Sequence, residues 1–445
     1  MTTKPKIIVL DDDPTGSQTV HSCLLLTRWD VETLRLGLAD DSPIFFVLTN
    51  TRSLTPEQAA AVTTEACHNL KIALAAEKIT DFLVVSRSDS TLRGHYPIET
   101  DVIAQEVGPF DAHFLVPAFF EGGRITEDSI HYLIIDGVPT PVHETEFASD
   151  SVFGYHHSYL PDYVEEKTKG RISAHSVERF LLVDIRSSSV DRLSHLKDNQ
   201  CCVVDAQTQG DLDKFAADIL SVAKTGKHFL FRSAASLLTS LASLGEQPVA
   251  AEDMAQYVRQ GKPGAIIVGS HVKKTTQQLE QLLKAPGIVG VKVDVAHLLN
   301  ESEQATTLLA NILKQVQTIH TEGKTPVVYT SRQELTFKDV QTRLEFGTAV
   351  SGLLMDIVQG LPQDIGFLIS KGGITSNDVL STGLALRSAR LLGQIIAGCS
   401  MVKTPTDHPL FPDLPVVLFP GNVGDADALA TAYGRLSQVE MKNRL

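Results

Sequence analysis

Short apolar runs that stop abruptly in polar clusters recur along this chain, and that alternation constrains its fold more than any other feature. Runs at residues 7–10, 44–48, 82–85 and 113–116 end in Asp11, Asp12 and Asp13, in residues 49–53, in 86–95 and in 117–124. Residues 56–77 form an Ala-rich helical segment opened by Thr55, Pro56 and Glu57, a cap with proline in the first turn. Strand-like runs resume at 180–185, 201–205 and 228–231, and again at 265–268, 291–295, 326–329, 366–369 and 415–419. Strands alternating with helices imply parallel sheets with helices on both faces.

Two stretches break the rhythm. Residues 130–140 carry Asp136-Gly137 between apolar runs, which predicts a β-hairpin, and 143–170 read as a long insertion of the kind used for lids or binding loops. A polar stretch at 245–262, interrupted by Pro and Gly, marks a boundary. The expected fold is α/β: two α/β domains with mainly parallel sheets facing across a cleft, with a β-hairpin and loop insertion in the first. The two domains would span residues 1–245 and 262–445.

A formal net charge of −14 disfavours nucleic acid or an anionic membrane as partner, because phosphate binding needs a positive face. The five cysteines are odd in number and lack metal-ligand spacing, so they are expected to be reduced and buried. No apolar stretch reaches the length of a membrane span and no leader is visible, so a cytoplasmic protein is expected.

The polar clusters follow the C-terminal ends of strands, and in a parallel sheet those ends converge on one crevice. In the first half they bring carboxylates (Asp12, Asp13, Asp89) together with guanidinium groups (Arg52, Arg87, Arg93, Arg124) and hydroxyls (Ser88, Ser90, Thr91). Arginine pairs with a carboxylate and aspartate accepts from hydroxyls, so a polyhydroxylated carboxylic acid suits the set. His95, His113 and His131 lack metal-ligand spacing. In the second half the strands end in Gly269-Ser270, Thr330-Ser331, the Lys371 to Asn377 stretch and the Gly421 to Asp425 stretch. Lys371-Gly372-Gly373 lets the backbone approach an anion ahead of a helix expected near Ser376, although the Walker A spacing is absent.

Over nearly its whole length the chain resembles the four-carbon acid sugar kinases. The motifs that carry the resemblance are LDDDPTG, TNTRS, SRSDSTLRGH, VPAFFEGGR, HETEF, FRSAAS, VGS, KGGITSNDV and PGNVGDADAL. The resemblance implies ATP-dependent phosphorylation of threonate, erythronate or a 3-oxo relative at the terminal hydroxyl, with Mg2+ bridging the phosphates. It places the acid sugar on Asp12 or Asp13, Arg52, and the turn of Arg87, Ser88, Asp89 and Ser90, with Arg93 beside them. It places ATP on Ser270, on Gly372, Gly373, Ile374 and Thr375, and on Gly421; Lys371 would offset charge on the phosphates, and Asn422 is a further candidate for the nucleotide. Asp12 or Asp89 would accept the hydroxyl proton, and Asp425 could help hold the metal. The chain departs from the family's usual ADDLTG opening, from Glu-Thr after the glycine pair, and from SGNFG near the end, which bears on which acid is used. The implied partners are the small acid and ATP, without nucleic acid or membrane, and a homodimer is the assembly considered.

Two rivals stand beside this reading. Residues 7–15 also fit the hhhhDxDxT loop of haloacid-dehalogenase-like phosphatases, with Asp11 as nucleophile and Asp13 as acid. A non-enzymatic sensor of an acid sugar and a nucleotide is the other.

Overall fold

The computed structural model describes residues 4–295, 302–332 and 340–438. The chain divides into two compact units, one ending at Glu246 and one beginning at Gln247.

The strands of the first unit are β1 (Lys6–Asp11), β2 (Leu24–Leu26), β3 (Ile44–Leu48), β4 (Phe82–Arg87), β5 (Ala112–Val116), β6 (Arg124–Glu127), β7 (Ile130–Ile135), β8 (Val138–Pro141), β9 (Glu178–Phe180), β10 (Gln200–Val204) and β11 (Phe229–Ser233). Eight of them form a parallel sheet in the order β2-β3-β1-β4-β11-β5-β10-β9. Its central strands are apolar on both faces because helices cover both sides of a parallel sheet. The helix Pro56–Glu77 starts with a reciprocal cap between Thr55 and Gln58, and it buries Ala59, Ala66, Leu70 and Ala73. Strands β6, β7 and β8 form a separate antiparallel sheet, with the expected turn at Asp136 and Gly137.

Two expectations change here. Residues 180–185 are not one strand: β9 stops at Phe180 and the helix Leu182–Ser187 follows. The Asp184 carboxylate accepts the Leu181 N–H at 3.1 Å, a helix-starting contact that an apolar run conceals. The 143–170 insertion is not a bare loop either. It holds the 3-10 turn Glu146–Ser149 and the helix Leu160–Lys167, and two buried tyrosines fasten it to the turn after β4. Tyr155 Oη donates to the Thr91 carbonyl at 2.7 Å and Tyr163 Oη to that of Leu92 at 2.8 Å.

The second unit contains β12 (Ala265–Val268), β13 (Ile288–Val293), β14 (Thr325–Thr330), β15 (Leu368–Lys371), β16 (Ser388–Ile396), β17 (Cys399–Lys403) and β18 (Pro415–Phe419). They run β13-β14-β12-β15-β18-β17-β16, parallel as far as β18 and antiparallel beyond it. The β16–β17 hairpin was not anticipated, because its polar interruptions hide the alternation. Strand β15 runs on to Lys371, past the expected end at 369, since that lysine is itself fully buried. The boundary stretch folds as the 3-10 turns Ala251–Tyr257 and Arg259–Gly261 and buries Met254.

Candidate active site

Register brings the ends of the first unit's central strands level. Asp11 stands opposite Leu48 and Arg87, and Ser233 opposite Arg87 and Val116. The polar groups that follow therefore meet. Arg52 donates from Nε to Asp12 Oδ2 at 3.1 Å and from Nη2 to Asp12 Oδ1. Its Nη1 lies 3.5 Å from Asp13 and 3.9 Å from Asp89. Arg87 sits deeper, 3.4 Å from Asp11 and 3.6 Å from Asp12. Arg93 holds Asp89 at 2.8 Å, lies 3.8 Å from Asp150, and places its guanidinium 4.9 Å above the Phe147 ring, so the insertion reaches this site. Of the expected hydroxyls, Ser88 donates to the Arg93 carbonyl at 3.0 Å and Thr91 donates to Asp89, while Ser90 is buried with its carbonyl accepting from His131.

The acids of this cluster differ in proton affinity. Burial pushes Asp11 up to about 7 although Arg87 opposes it. Burial also raises Asp12, against the pull of Arg52. For Asp13 and Asp89 burial acts upward too, but arginines and threonine hydroxyls outweigh it. Asp13 falls below the usual range, and Asp89, beside Arg52 and Arg93, falls well below it.

Asp11 is fully buried, and a Cβ on Gly16 would lie 2.1 Å from its carboxylate, so the following turn closes directly over it. A nucleophile needs an open approach to phosphorus. The closed position of Asp11 beneath this turn gives the phosphatase reading of Asp11 and Asp13 no support.

Two further groups complete this cluster, and of them only Glu99 was not expected at a strand end. Arg232, at the end of β11, donates to Ser86 Oγ at 2.7 Å and to Glu99 at 2.6 Å; Glu99 comes from the helix Ile98–Val107, which carried no strand-end signal. Arg124 differs from the other crevice arginines. Among the described residues no carboxylate pairs with it; Nη1 donates to the Gly122 carbonyl and Nε has no partner. Burial lowers its proton affinity, with Asp89 opposing.

In the second unit, Ser270, Gly372, Gly373, Ile374 and Thr375 line a cavity of about 830 Å3. Gly372 has φ +123°, and a Cβ there would lie 2.9 Å from Ser270 Cβ, so a bare backbone is required at this wall. The helix begins at Gly373 rather than near Ser376. Val272, Phe346, Val350, Leu354 and Met355 give the cavity an apolar side suited to a flat ring, and Ser270 and Arg332 a polar one. Arg332 Nη1 donates to the Ser270 carbonyl, whereas among the described residues its buried Nε and Nη2 have no partner. Asp378 also lines the cavity and accepts from Ser351 and from Asn377, the latter at 3.1 Å.

Four expected residues, Gly421 among them, lie elsewhere. The Lys371 side chain does not line the cavity; its ammonium donates to the carbonyls of Pro420 and Gly421. Asn422, past that turn, is likewise absent from the lining. Asp425 caps its own turn, accepting the Asp427 N–H at 3.1 Å. Arg332 and Asp378 were missed, although Arg332 follows its strand as Arg52 and Arg87 follow theirs.

Two family models match along the chain. Residues 7–241 match the family model described as a sugar-binding N-terminal domain, and residues 265–429 the one described as a nucleotide-binding C-terminal domain. A D-erythronate kinase of Heliobacterium modesticaldum (strain ATCC 51547 / Ice1) is 23% identical, with 97% of each chain covered. Two solved structures share the fold. One is a Salmonella typhimurium LT2 protein carrying a provisional tRNA synthase name (TM-score 0.70, 18% identity, 97% of this chain and 99% of that one). The other is a Haemophilus influenzae protein (TM-score 0.64, 17% identity, 96% and 100%). Among the described residues no helix is long and apolar enough to cross a membrane.

Proposed function

Since the chain belongs to the four-carbon acid sugar kinase family, with its sugar-binding and nucleotide-binding domains, we propose that it transfers the γ-phosphoryl group of ATP to the terminal (4-) hydroxyl of a four-carbon acid sugar such as threonate, erythronate or a 3-oxo-tetronate. The observation that carries this reading is the charge pattern of the crevice. Arg52, Arg87, Arg93 and Arg232 are each matched by a carboxylate, and Arg124 is not. An acid's carboxylate would supply the missing partner of Arg124, while Asp12, Asp13 and Asp89 would receive its hydroxyls.

Asp12 is the better proton acceptor. General bases work best with a proton affinity near the working pH, and burial raises Asp12 whereas arginines hold Asp89 down. As the terminal hydroxyl oxygen bonds to the γ-phosphorus, its proton passes to Asp12 and the bond from that phosphorus to the β,γ-bridging oxygen breaks, leaving ADP. Asp89 keeps Arg52 and Arg93 in place.

The nucleotide would occupy the second unit's cavity. The Gly372 approach and the two unpartnered Arg332 donors fit an anionic phosphate chain, and the apolar side fits a base. Mg2+ commonly takes one or two carboxylates together with phosphate oxygens and water, and Asp378 is the carboxylate on that wall. When bound, the ion neutralises phosphate charge. The protein is expected to act in the cytoplasm as a soluble enzyme, alone or as a homodimer.

The test is ADP release from MgATP with D- and L-threonate, D- and L-erythronate, longer aldonates and 3-oxo acids. Turnover with one four-carbon acid is expected. Silence across all of them, or turnover confined to neutral polyols, would overturn the reading.

A further inference from the structure

Among the described residues Lys371 is the only lysine that is completely buried, and it has no carboxylate partner. An unpaired ammonium in a core is costly unless backbone or aromatic groups compensate it. Here they do. Nζ donates to the Pro420 carbonyl and, at 3.2 Å, to that of Gly421, and it lies 4.2 Å from the centroid of the Phe419 ring. Burial pushes the lysine down to about 7, slightly opposed by Cys399. A leucine would fill this position at less cost, so the carbonyl contacts call for a reason.

Those carbonyls belong to the turn that leaves β18 beside the nucleotide cavity. The Gly421 carbonyl also accepts from Thr275 Oγ1 at 3.0 Å, and that hydroxyl lies 3.1 Å from Ser270 Oγ. A Cβ on Gly421 would lie 3.2 Å from the same Ser270 Oγ. One residue back, the Phe419 carbonyl receives the Gly372 N–H at 2.8 Å. A chain of contacts thus runs from Lys371 through Gly421 and Thr275 to Ser270 on the cavity wall.

We infer that Lys371 is a positioning residue for the nucleotide: its ammonium clamps the Pro420 and Gly421 carbonyls so that Gly421 and Thr275 hold Ser270 in place on the cavity wall. This differs from a phosphate contact by Lys371 itself, and it rests on the nucleotide reading of the second unit. Without the ammonium, the Pro420 and Gly421 carbonyls lose a charged donor and the turn moves to find water.

Calorimetric titration of the full chain with MgATP tests this, using the native protein, Lys371→Met, Thr275→Val and the double variant. Melting temperature and acid-sugar binding are followed for each. The native protein should bind. Lys371→Met should weaken binding at least tenfold and Thr275→Val about threefold, with acid binding unchanged. The double variant should lose less than the product of the single effects, because both donors serve one carbonyl. Native binding with undiminished affinity in a folded Lys371→Met overturns the inference, as does a double effect equal to the product. If Lys371→Met does not fold, Thr275→Val decides: native-like affinity in that variant overturns the inference. Absence of binding to the native protein brings down the nucleotide reading itself, a result distinct from the others.

Discussion

Arg52 grips Asp12 with two parallel donors, Nε on Oδ2 at 3.1 Å and Nη2 on Oδ1, and the pair is almost closed to solvent on the Asp12 side. A bidentate guanidinium fixes a carboxylate in one orientation. Burial keeps Asp12 above the usual carboxylate range, whereas arginines and threonine hydroxyls hold Asp13 and Asp89 below it. Position and proton affinity thus coincide on Asp12. Asp12→Asn should lower kcat by about 10^2–10^4-fold, the range for loss of a general base. Asp89→Asn should act mainly on KM for the acid, through Arg52 and Arg93. Steady-state kinetics of both variants check the assignment, and the reverse pattern would move the base to Asp89.

Arg124 should set the preference for an acid over a neutral polyol. A hydrogen bond to a charged group contributes about 1.5–3 kcal/mol, so Arg124→Met should cost roughly 10–100-fold in kcat/KM for the acid. Little should change for the corresponding tetritol, and KM for ATP should stay constant. An equal loss with acid and polyol would mean that Arg124 only shapes the β6 turn.

Much of this was legible in the sequence. The central strands of both sheets and the clusters at their ends follow from apolar runs that stop at charged residues, as at Leu10–Asp11 and Val85–Arg87. What was not legible is direction. Lys371 and Arg332 both come after apolar runs in the sequence, and nothing in the spacing says that one turns into the core and the other toward the cavity. Glu99 comes from the first turn of a helix, and only the fold brings it to Arg232 at 2.6 Å. The β16–β17 hairpin escaped because its polar positions and bulges mask the two-residue period.

Asp11 should make stability depend on pH in an identifiable way. The folded chain keeps the Asp11 proton up to about 7, whereas an unfolded aspartate releases it near 3.8. Between those values the native state binds the extra proton, so this group's contribution to stability falls as pH rises. Asp11→Asn mimics the protonated form at every pH. Its melting temperature should match the native protein near pH 4 and exceed it increasingly up to pH 8, by an amount on the order of a few kcal/mol in stability. The variant should keep its kinase activity, since Asp11 lies closed beneath Gly16. A pH-independent difference in melting temperature would refute the account, and loss of all turnover would return Asp11 to the chemistry.

Gly372 is where backbone conformation and ligand approach make the same demand. Its φ of +123° is one that a side chain rarely adopts, and a Cβ would meet Ser270 Cβ at 2.9 Å, too close for either backbone to stay still. Gly372→Ala therefore has to move the turn between β15 and its helix, and with it the wall that Ser270 and Thr375 share. Alanine at a positive φ destabilises by more than the ~1 kcal/mol that Gly→Ala gains at a compatible site. The melting temperature should fall by several degrees, and MgATP affinity should fall further than that strain alone explains, because the ligand loses both the open backbone and Ser270. Acid binding in the first unit should be untouched. Titration of each ligand separately against Gly372→Ala measures this, and weakening of both to the same degree would show a general loss of folding instead of a local change at the nucleotide wall.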